Sequence, residues 1–216
     1  MKRSVRSRLL NLLFPPKCVL CNKIIDAGRE DICHDCSRTL PWAGVTVKQG
    51  DFHEGAVSSL RYDDRVRGAM LRYKFNGHYW LGEVFGELMA ETVTMQLSGR
   101  FDIITWAPVS KKRLRQRTYD QSELLAKRIG VLLGFPVVQC LRKTKHTEAN
   151  SSLNDDKARQ DNVSGVYEAL PEVEGKRILL IDDVYTTGST LSECAKTLMQ
   201  AGAESVVCAT FARAGE

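Results

Sequence analysis

The sequence of 216 residues lacks any apolar run that approaches the ~20 residues a membrane-spanning helix needs. Its first apolar stretch, LLNLLF, follows basic residues but is short, contains Asn11 and leads into Pro15 and Pro16 rather than a small-residue cleavage site. We therefore predict no integral membrane segment, no secretory signal and a cytoplasmic location. The stretch itself is predicted to form a short amphipathic helix.

Signatures of two nucleotide-binding classes are also absent. Neither the GxxxxGK[ST] loop of triphosphate-binding proteins nor the GxGxxG turn of dinucleotide-binding proteins occurs. Internal repeats and low-complexity tracts are missing as well. The remaining composition, with 43% hydrophobic and 26% charged residues, is typical of an ordinary globular protein. A net charge of +5 permits a polyanionic partner without requiring one.

Four of the seven cysteines form a C-x2-C-x11-C-x2-C pattern made by Cys18, Cys21, Cys33 and Cys36. Two CxxC pairs can place four thiolates around a tetrahedral Zn²⁺ ion, which would close a segment that has almost no apolar core of its own. Disulfides and a redox CxxC are the alternatives, but disulfides fit a cytoplasmic chain poorly. We predict structural zinc, in a domain of residues 1–50 that holds a basic N-terminal helix and a zinc ribbon.

Strand and helix patterns alternate through residues 51–216, which we assign to one α/β domain. Such alternation predicts a doubly wound parallel sheet. The predicted strands are 56–62, 101–109, 135–141, 163–170, 177–184 and 204–212. The predicted helices are 65–75, 79–97, 121–133 and 189–202. A polar stretch at 142–161 is expected to be a functional loop or an exposed short helix.

The segment RILLIDDVYTTGST, residues 177–190, carries the strongest functional signal. An apolar strand runs into Asp182 and Asp183, where open α/β sheets bind their ligands. The turn that follows offers Gly188 and four hydroxyls at the head of a helix, a combination that can bind a phosphate; the hydroxyl residues are Thr186, Thr187, Ser189 and Thr190. Carboxylates would repel a phosphate but suit ribose hydroxyls or Mg²⁺. A sugar 5-phosphate fits this order of groups, and an acid pair followed by an ordinary helix cap is the structural alternative.

These residues also carry a family resemblance. LLIDDVYTTGST resembles the phosphoribosyl pyrophosphate (PRPP) loop of type I phosphoribosyltransferases. With CVLC…CHDC, YKFNG, APVSKKRLRQRTYDQSELLA, Arg159 and Asn162, nearly the whole chain resembles the ComF family of competence-associated phosphoribosyltransferase-like proteins. Where that family usually reads Arg-Gly-Phe-Asn-Gln, this sequence has Arg117-Thr118-Tyr119-Asp120-Gln121.

The resemblance implies roles for individual residues. Asp182 and Asp183 would bind the ribose hydroxyls of PRPP, and Thr186 to Thr190, with Gly188, its 5-phosphate. Lys74 would lie in a loop that meets the pyrophosphate. Arg113 and Arg117 would belong to a mobile basic loop, Lys111 to Arg117, that closes over it. Mg²⁺ would accompany PRPP, and His146 and Arg159 are candidates for contact with an acceptor.

Two functions remain open at this stage. The first is a PRPP-dependent phosphoribosyltransferase, a glycosyltransferase whose acceptor the sequence does not identify. The second is a non-catalytic, zinc-containing protein that binds single-stranded DNA and uses the PRPP site for regulation. The resemblance implies work in DNA uptake during natural transformation, alongside a competence helicase or translocase. Basic residues favour such polyanion contact; they are Lys2, Arg3, Arg6, Arg8, Lys17 and the cations of residues 111–117.

Overall fold

A computed structural model describes residues 15–26, 31–44, 48–145 and 164–215. Its helices are α1 His34–Arg38, α2 Asp64–Phe75, α3 Leu81–Leu97, α4 Lys111–Arg117, α5 Gln121–Leu133 and α6 Ser189–Gln200. Its strands are β1 Lys48–Gly50, β2 His53–Arg61, β3 Ile103–Trp106, β4 Leu141–Lys143, β5 Tyr167–Ala169, β6 Arg177–Tyr185 and β7 Ser205–Arg213. The predicted N-terminal helix and the residues His146, Arg159 and Asn162 lie outside the described residues.

The main sheet has five strands in the order β1-β2-β7-β6-β3. Strands β2, β7, β6 and β3 are parallel to their neighbours, and only the short edge strand β1 is antiparallel. Because successive side chains of a strand face opposite sides, Leu179 and Ile181 enter one core cluster, with α3 and α5, while Ile178 and Leu180 enter a second, with α6. The predicted α/β class, with helices on both faces of a mostly parallel sheet, is confirmed.

The predicted strand 135–141 is wrong over most of its length. Val137 forms a single bridge with Ile104, and Cys140 then donates its N–H to the side chain of Thr105, at 3.1 Å, instead of to a strand backbone. The chain leaves the sheet there, and β4 pairs with β5 in a separate antiparallel sheet of two strands. The described part of the predicted strand 163–170, from residue 164 onward, therefore also lies outside the main sheet.

The basic segment predicted to be a loop is a helix, α4. Ser110 caps it by accepting a hydrogen bond from the backbone N–H of Arg113 at 3.4 Å, and Thr118 ends it in the left-handed conformation with φ 68°. Lysine, arginine, leucine and glutamine are all good helix formers, and they outweigh the mutual repulsion of the cations. The family usually has glycine at the position of Thr118, which is what a left-handed helix end favours.

The cysteine-rich segment packs into the main domain rather than standing apart. Val19 and Leu20, between the first two cysteines, are buried in the same cluster as Val66 and Met70 of α2. The β1–β2 hairpin also spans the predicted domain boundary at residue 50. None of the helices in the described ranges combines the length and the apolar character that crossing a membrane requires.

Candidate functional site

The paired carboxylates lie within the last residues of β6, which continues beyond them to Tyr185. Asp182 pairs in register with Thr210 of β7, so the acids belong to the strand, as the predicted strand 177–184 has them. Because they are adjacent on a strand, their side chains face opposite sides of the sheet. The two acids therefore have different neighbours.

Asp182 is held by the start of α5. Its Oδ1 atom accepts hydrogen bonds from Ser122 Oγ at 3.0 Å and from the backbone N–H of Asp183 at 2.8 Å. Protein surrounds the carboxyl even though the residue keeps some exposed surface. Burial and then the nearby charge of Asp183 raise the pKa of Asp182 to about 7, against the opposing effect of these hydrogen bonds and of Lys74.

Asp183 is paired with the predicted pyrophosphate contact. Lys74 Nζ lies 2.8 Å from Asp183 Oδ1, and the two side chains are only 21% and 15% exposed. Lys74 lies in the last turn of α2, as the predicted helix 65–75 has it, and not in the loop that the resemblance implies. The structure thus joins these two predicted site residues through an ion pair between the last turn of α2 and the end of β6.

The predicted phosphate-binding turn contains a glycine in the left-handed conformation. Gly188 precedes α6 with φ 80°, and a Cβ atom there would lie 2.6 Å from the Tyr185 hydroxyl oxygen. Any other residue would be strained at that φ and would also displace Tyr185. Thr187 Oγ1 bonds Ser189 Oγ at 3.1 Å, which leaves a compact turn of hydroxyls at the head of a helix of 12 residues. Thr186 is exposed and Thr190 lies in the first turn of α6.

The two arginines chosen from the basic segment lie on the inner side of α4. Arg117 Nη1 donates to Gln121 Oε1 at 2.8 Å, and its guanidinium sits 4.7 Å from the centre of the Phe75 ring. Burial lowers the pKa of Arg117, and the charge of Asp183 partly restores it. Arg113 lies close enough to Lys143 to lower the pKa of that lysine. Arg117 therefore lies near Asp183, and Arg113 lies near Lys143.

Sequence reasoning missed the residue that fixes the start of α5. Asp120 Oδ2 accepts from the backbone N–H of Val109 at 2.8 Å, and its Oδ1 accepts from those of Ser122 and Glu123 at 3.0 and 3.3 Å. Burial raises its pKa to about 6. The segment Asp120-Gln121-Ser122-Glu123 has the spacing of a capping box, so the signal was present. Nothing in the sequence shows that Ser122 would meet Asp182.

A second residue that the sequence did not indicate, Lys143, lies on the Asp182 side of the sheet. Lys143 is buried, with Nζ 3.3 Å from the hydroxyl of Tyr167 and 5.0 Å from the centre of that ring. Burial, together with the charge of Arg113, lowers the pKa of Lys143 to about 8, although Cys194 and Asp182 oppose the shift. No sequence signal marks this lysine, because it stands in an exposed-looking polar run.

The four patterned cysteines converge as predicted. Their sulfur atoms all lie within 4.8 Å of one another, and Cys21 and Cys33 are 3.7 Å apart. Tetrahedral zinc with Zn–S bonds of about 2.3 Å needs sulfur atoms separated by about 3.8 Å, so the donor set fits the ion. The backbone N–H of Cys33 also donates to Cys18 Sγ at 3.3 Å, a contact that stabilises a thiolate.

Comparison with known protein families gives two matches. The phosphoribosyl transferase domain family matches residues 123–216, which include most of α5, and all of β6, the glycine turn and α6. The double zinc ribbon domain family matches residues 9–47, which include all four patterned cysteines. The four clustered cysteines of a zinc ribbon support structural zinc.

Several curated proteins are similar over almost the whole chain. Competence protein ComFC of Streptococcus pneumoniae is 29% identical over 193 residues, which cover 88% of this chain and 84% of that protein. Competence protein F of Haemophilus influenzae is 26% identical over 223 residues, which cover 92% of this chain and 97% of that protein. The DNA utilization protein YhgH of Escherichia coli is 24% identical over 221 residues, which cover 90% of this chain and 96% of that protein.

Proposed function

Because the chain is a homologue of the ComF-family competence proteins, with a double zinc ribbon domain and a phosphoribosyl transferase domain, we propose that it binds PRPP and transfers the phosphoribosyl group to an acceptor. The observation that carries the proposal is the arrangement at the end of β6. Two carboxylates precede a glycine turn at a helix head, and a lysine lies 2.8 Å from one of them.

Each group has a chemical task in this proposal. Asp182 and Asp183 accept hydrogen bonds from the ribose hydroxyls, and the turn around Gly188 binds the 5-phosphate through backbone N–H groups and hydroxyls. Lys74 faces the pyrophosphate while it remains bonded to Asp183. Mg²⁺ would enter with PRPP and offset part of its negative charge.

The proposed reaction breaks the bond between carbon 1 of the ribose and the pyrophosphate oxygen, whose electrons leave with the pyrophosphate. The lone pair of an acceptor nitrogen forms the new bond to carbon 1, and the acceptor then loses a proton. Positive groups near the leaving oxygen stabilise the charge that develops there. In this chain those groups are Lys74, Arg113 and Arg117.

Calorimetric titration with Mg-PRPP tests the proposal. Wild-type protein should bind PRPP, and Lys74→Met should weaken that affinity about tenfold, as expected for one charge-assisted contact. Ribose 5-phosphate carries no pyrophosphate, so its affinity should change little. Lys127→Met is the matched control, since Lys127 is exposed on α5. A wild-type protein that does not bind PRPP would refute the proposal.

A second function, single-stranded DNA binding, is favoured by an exposed aromatic surface after α2. Phe75, Tyr79 and Trp80 are 62%, 61% and 52% exposed, and His78 stacks on Trp80 with ring centres 4.4 Å apart. Arg117 lies over Phe75, so one cation accompanies the exposed rings. Aromatic faces together with positive charge are what single-stranded nucleic acids stack on and pair with. We name residues 75–80 the aromatic surface.

Trp80→Ala should weaken binding of single-stranded DNA about fivefold or more, the loss expected for one stacked base. Phe52→Ala, which removes an exposed aromatic side chain from the β1–β2 turn, is the control. Binding should fall with salt at a log–log slope of about −0.7 per phosphate contacted. Equal affinities of the Trp80 and Phe52 variants would exclude the aromatic surface. A competence helicase or translocase stays a proposed partner, without a surface assigned to it.

A further inference from the structure

Helix α2 contacts the cysteine cluster and the candidate ligand site at the same time. Its residue Arg72 bonds the segment between the first two cysteines, and Lys74, two positions later, bonds Asp183. These residues are about 3 Å apart along the axis of a regular helix, at 1.5 Å per residue. About half a turn of helix separates the two contacts.

The Arg72 contact is made to backbone atoms whose position depends on the cluster. Arg72 Nη2 donates to the carbonyl oxygen atoms of Val19 and Leu20, at 2.7 and 2.9 Å. Both residues lie between Cys18 and Cys21, so ligation of zinc by these two cysteines would close the short loop that presents the carbonyls. Without the ion, that loop loses the constraint that holds both acceptors toward one guanidinium group.

Electrostatics add to this geometric dependence. Zinc with four thiolates forms a doubly negative centre, and α2 presents two arginines to it. Arg65 Nη1 lies 3.9 Å from Cys36 Sγ and also donates to Thr39 Oγ1 at 2.9 Å. The charges of Cys18 and Cys21 favour the protonated form of Arg72, against the burial that lowers its pKa. Zinc bound by the four thiolates would therefore place negative charge beside both arginines.

The other end of the turn is held firmly by the ligand-site elements. The hydroxyl of Tyr73 donates to the backbone carbonyl of Gln121 at 2.8 Å, and the hydroxyl of Tyr119 bonds the carbonyl oxygen of Tyr73. Tyr73 itself is fully buried. A change in the position of Arg72 is therefore passed to Tyr73 and Lys74 through a packed helix rather than absorbed by a loop.

We propose that Arg72 is a positioning residue through which the zinc-binding segment sets the position of Lys74 in the ligand site. The inference rests on the proposed function, because it takes Lys74 to be a PRPP contact. It gives the zinc ribbon a role in ligand affinity beyond the stability of its own segment.

The test compares zinc-loaded wild-type protein with Arg72→Met and Arg67→Met. Arg67 is exposed on the same helix, so its variant controls for loss of one helical arginine. Arg72→Met should keep its zinc and lose about tenfold in PRPP affinity, whereas Arg67→Met should match wild type. Removal of zinc should weaken the wild type by a similar factor and should have a smaller effect on Arg72→Met, since the two changes break one connection.

Hydrogen exchange gives a second measurement that does not depend on PRPP. The amides of residues 73–77 should exchange faster in Arg72→Met and in zinc-depleted wild type than in zinc-loaded wild type and Arg67→Met. A zinc-loaded Arg72→Met protein with wild-type affinity and wild-type exchange would overturn the inference. If the wild type does not bind PRPP, the proposed function fails, and the exchange result alone decides whether Arg72 couples the two regions.

Discussion

Neutralising either carboxylate at the end of β6 should change the stability of the ligand-free protein, and the two changes should have opposite signs. Asp182→Asn removes a charge that is surrounded by protein and repelled by Asp183. Asp183→Asn instead removes the partner of Lys74. We expect the first variant to be more stable than wild type above pH 7 and the second to be less stable.

The size of the Asp182 effect follows from its pKa. Burial and the charge of Asp183 raise the pKa of Asp182 from 3.8 to about 7. At about 1.4 kcal/mol per pKa unit, the ionised carboxylate costs at most about 4 kcal/mol. The residue keeps some exposed surface, and solvent screening reduces this to about 2 kcal/mol.

The pH dependence of stability gives the sign of the Asp182→Asn effect. Since the folded-state pKa is raised, the folded protein holds a proton between pH 4 and 7 that the unfolded chain has lost. The favourable contribution is complete below the unfolded pKa and disappears as the pH rises through the folded pKa. The free energy of unfolding of Asp182→Asn should therefore equal that of wild type near pH 4 and exceed it by about 2 kcal/mol at pH 8.

Asp183→Asn leaves the ammonium group of Lys74 largely buried without its carboxylate. The loss of one charge-assisted hydrogen bond there should cost about 1.5–3 kcal/mol. Both variants should bind PRPP about 10- to 150-fold more weakly, because each loses a carboxylate that accepts from ribose hydroxyls.

Urea unfolding at pH 4 and at pH 8 measures both stabilities, and calorimetry measures both affinities. Equal unfolding free energies of Asp182→Asn and wild type at the two pH values would refute the argument from burial. A stabilised Asp182→Asn protein with unchanged PRPP affinity would show that Asp182 has no part in binding the ligand.

Three further predictions concern single residues. Thr118→Gly should stabilise the protein by up to about 1 kcal/mol in urea unfolding, because a β-branched residue is strained at φ 68°; a loss of stability would contradict that reasoning. Gly188→Ala should reduce binding of ribose 5-phosphate and PRPP alike, since the added Cβ would meet Tyr185; unchanged binding would exclude the turn as a phosphate site. Lys143→Met should stabilise the protein below pH 8, where the buried lysine must carry its charge, and have little effect above pH 10.5; a uniform effect across that range would show that packing, not charge, decides.

The sequence allowed the site motif to be predicted because its parts are contiguous. The apolar strand, the two acids, the glycine turn and the helix all fall within residues 177–200, so local patterns were sufficient to order them. The cluster of four cysteines could be predicted equally well, since their spacing is local and their chemistry is specific.

The partners of the acids could not be predicted in this way. Ser122 is 60 residues from Asp182, and Lys74 is 109 residues from Asp183. Whether such residues meet depends on how α2 and α5 pack against the end of β6. Periodicity identifies the buried face of a helix but not the residue that its terminus touches.

The prediction of a strand at 135–141 was wrong for a different reason. Its apolar, β-branched residues fit a buried strand, and two of its backbone groups do bond Ile104, with N···O distances of 2.9 Å each. The side chain of Thr105 then takes the N–H of Cys140. One side-chain hydrogen bond ends the pairing, and composition gives no sign of it.

The family resemblance implied a loop over residues 111–117, yet these residues form a helix that divides their cations between two sides. Residues four apart lie on the same side of a helix, which puts Arg113 and Arg117 together and directs Lys111, Lys112 and Arg115 elsewhere. The burial follows this division, since Arg113 and Arg117 are half-buried and the other three cations are exposed. The two arginines that the helix turns inward are therefore the same two that the family resemblance assigned to the site. The other three cations face water, where screening weakens their repulsion.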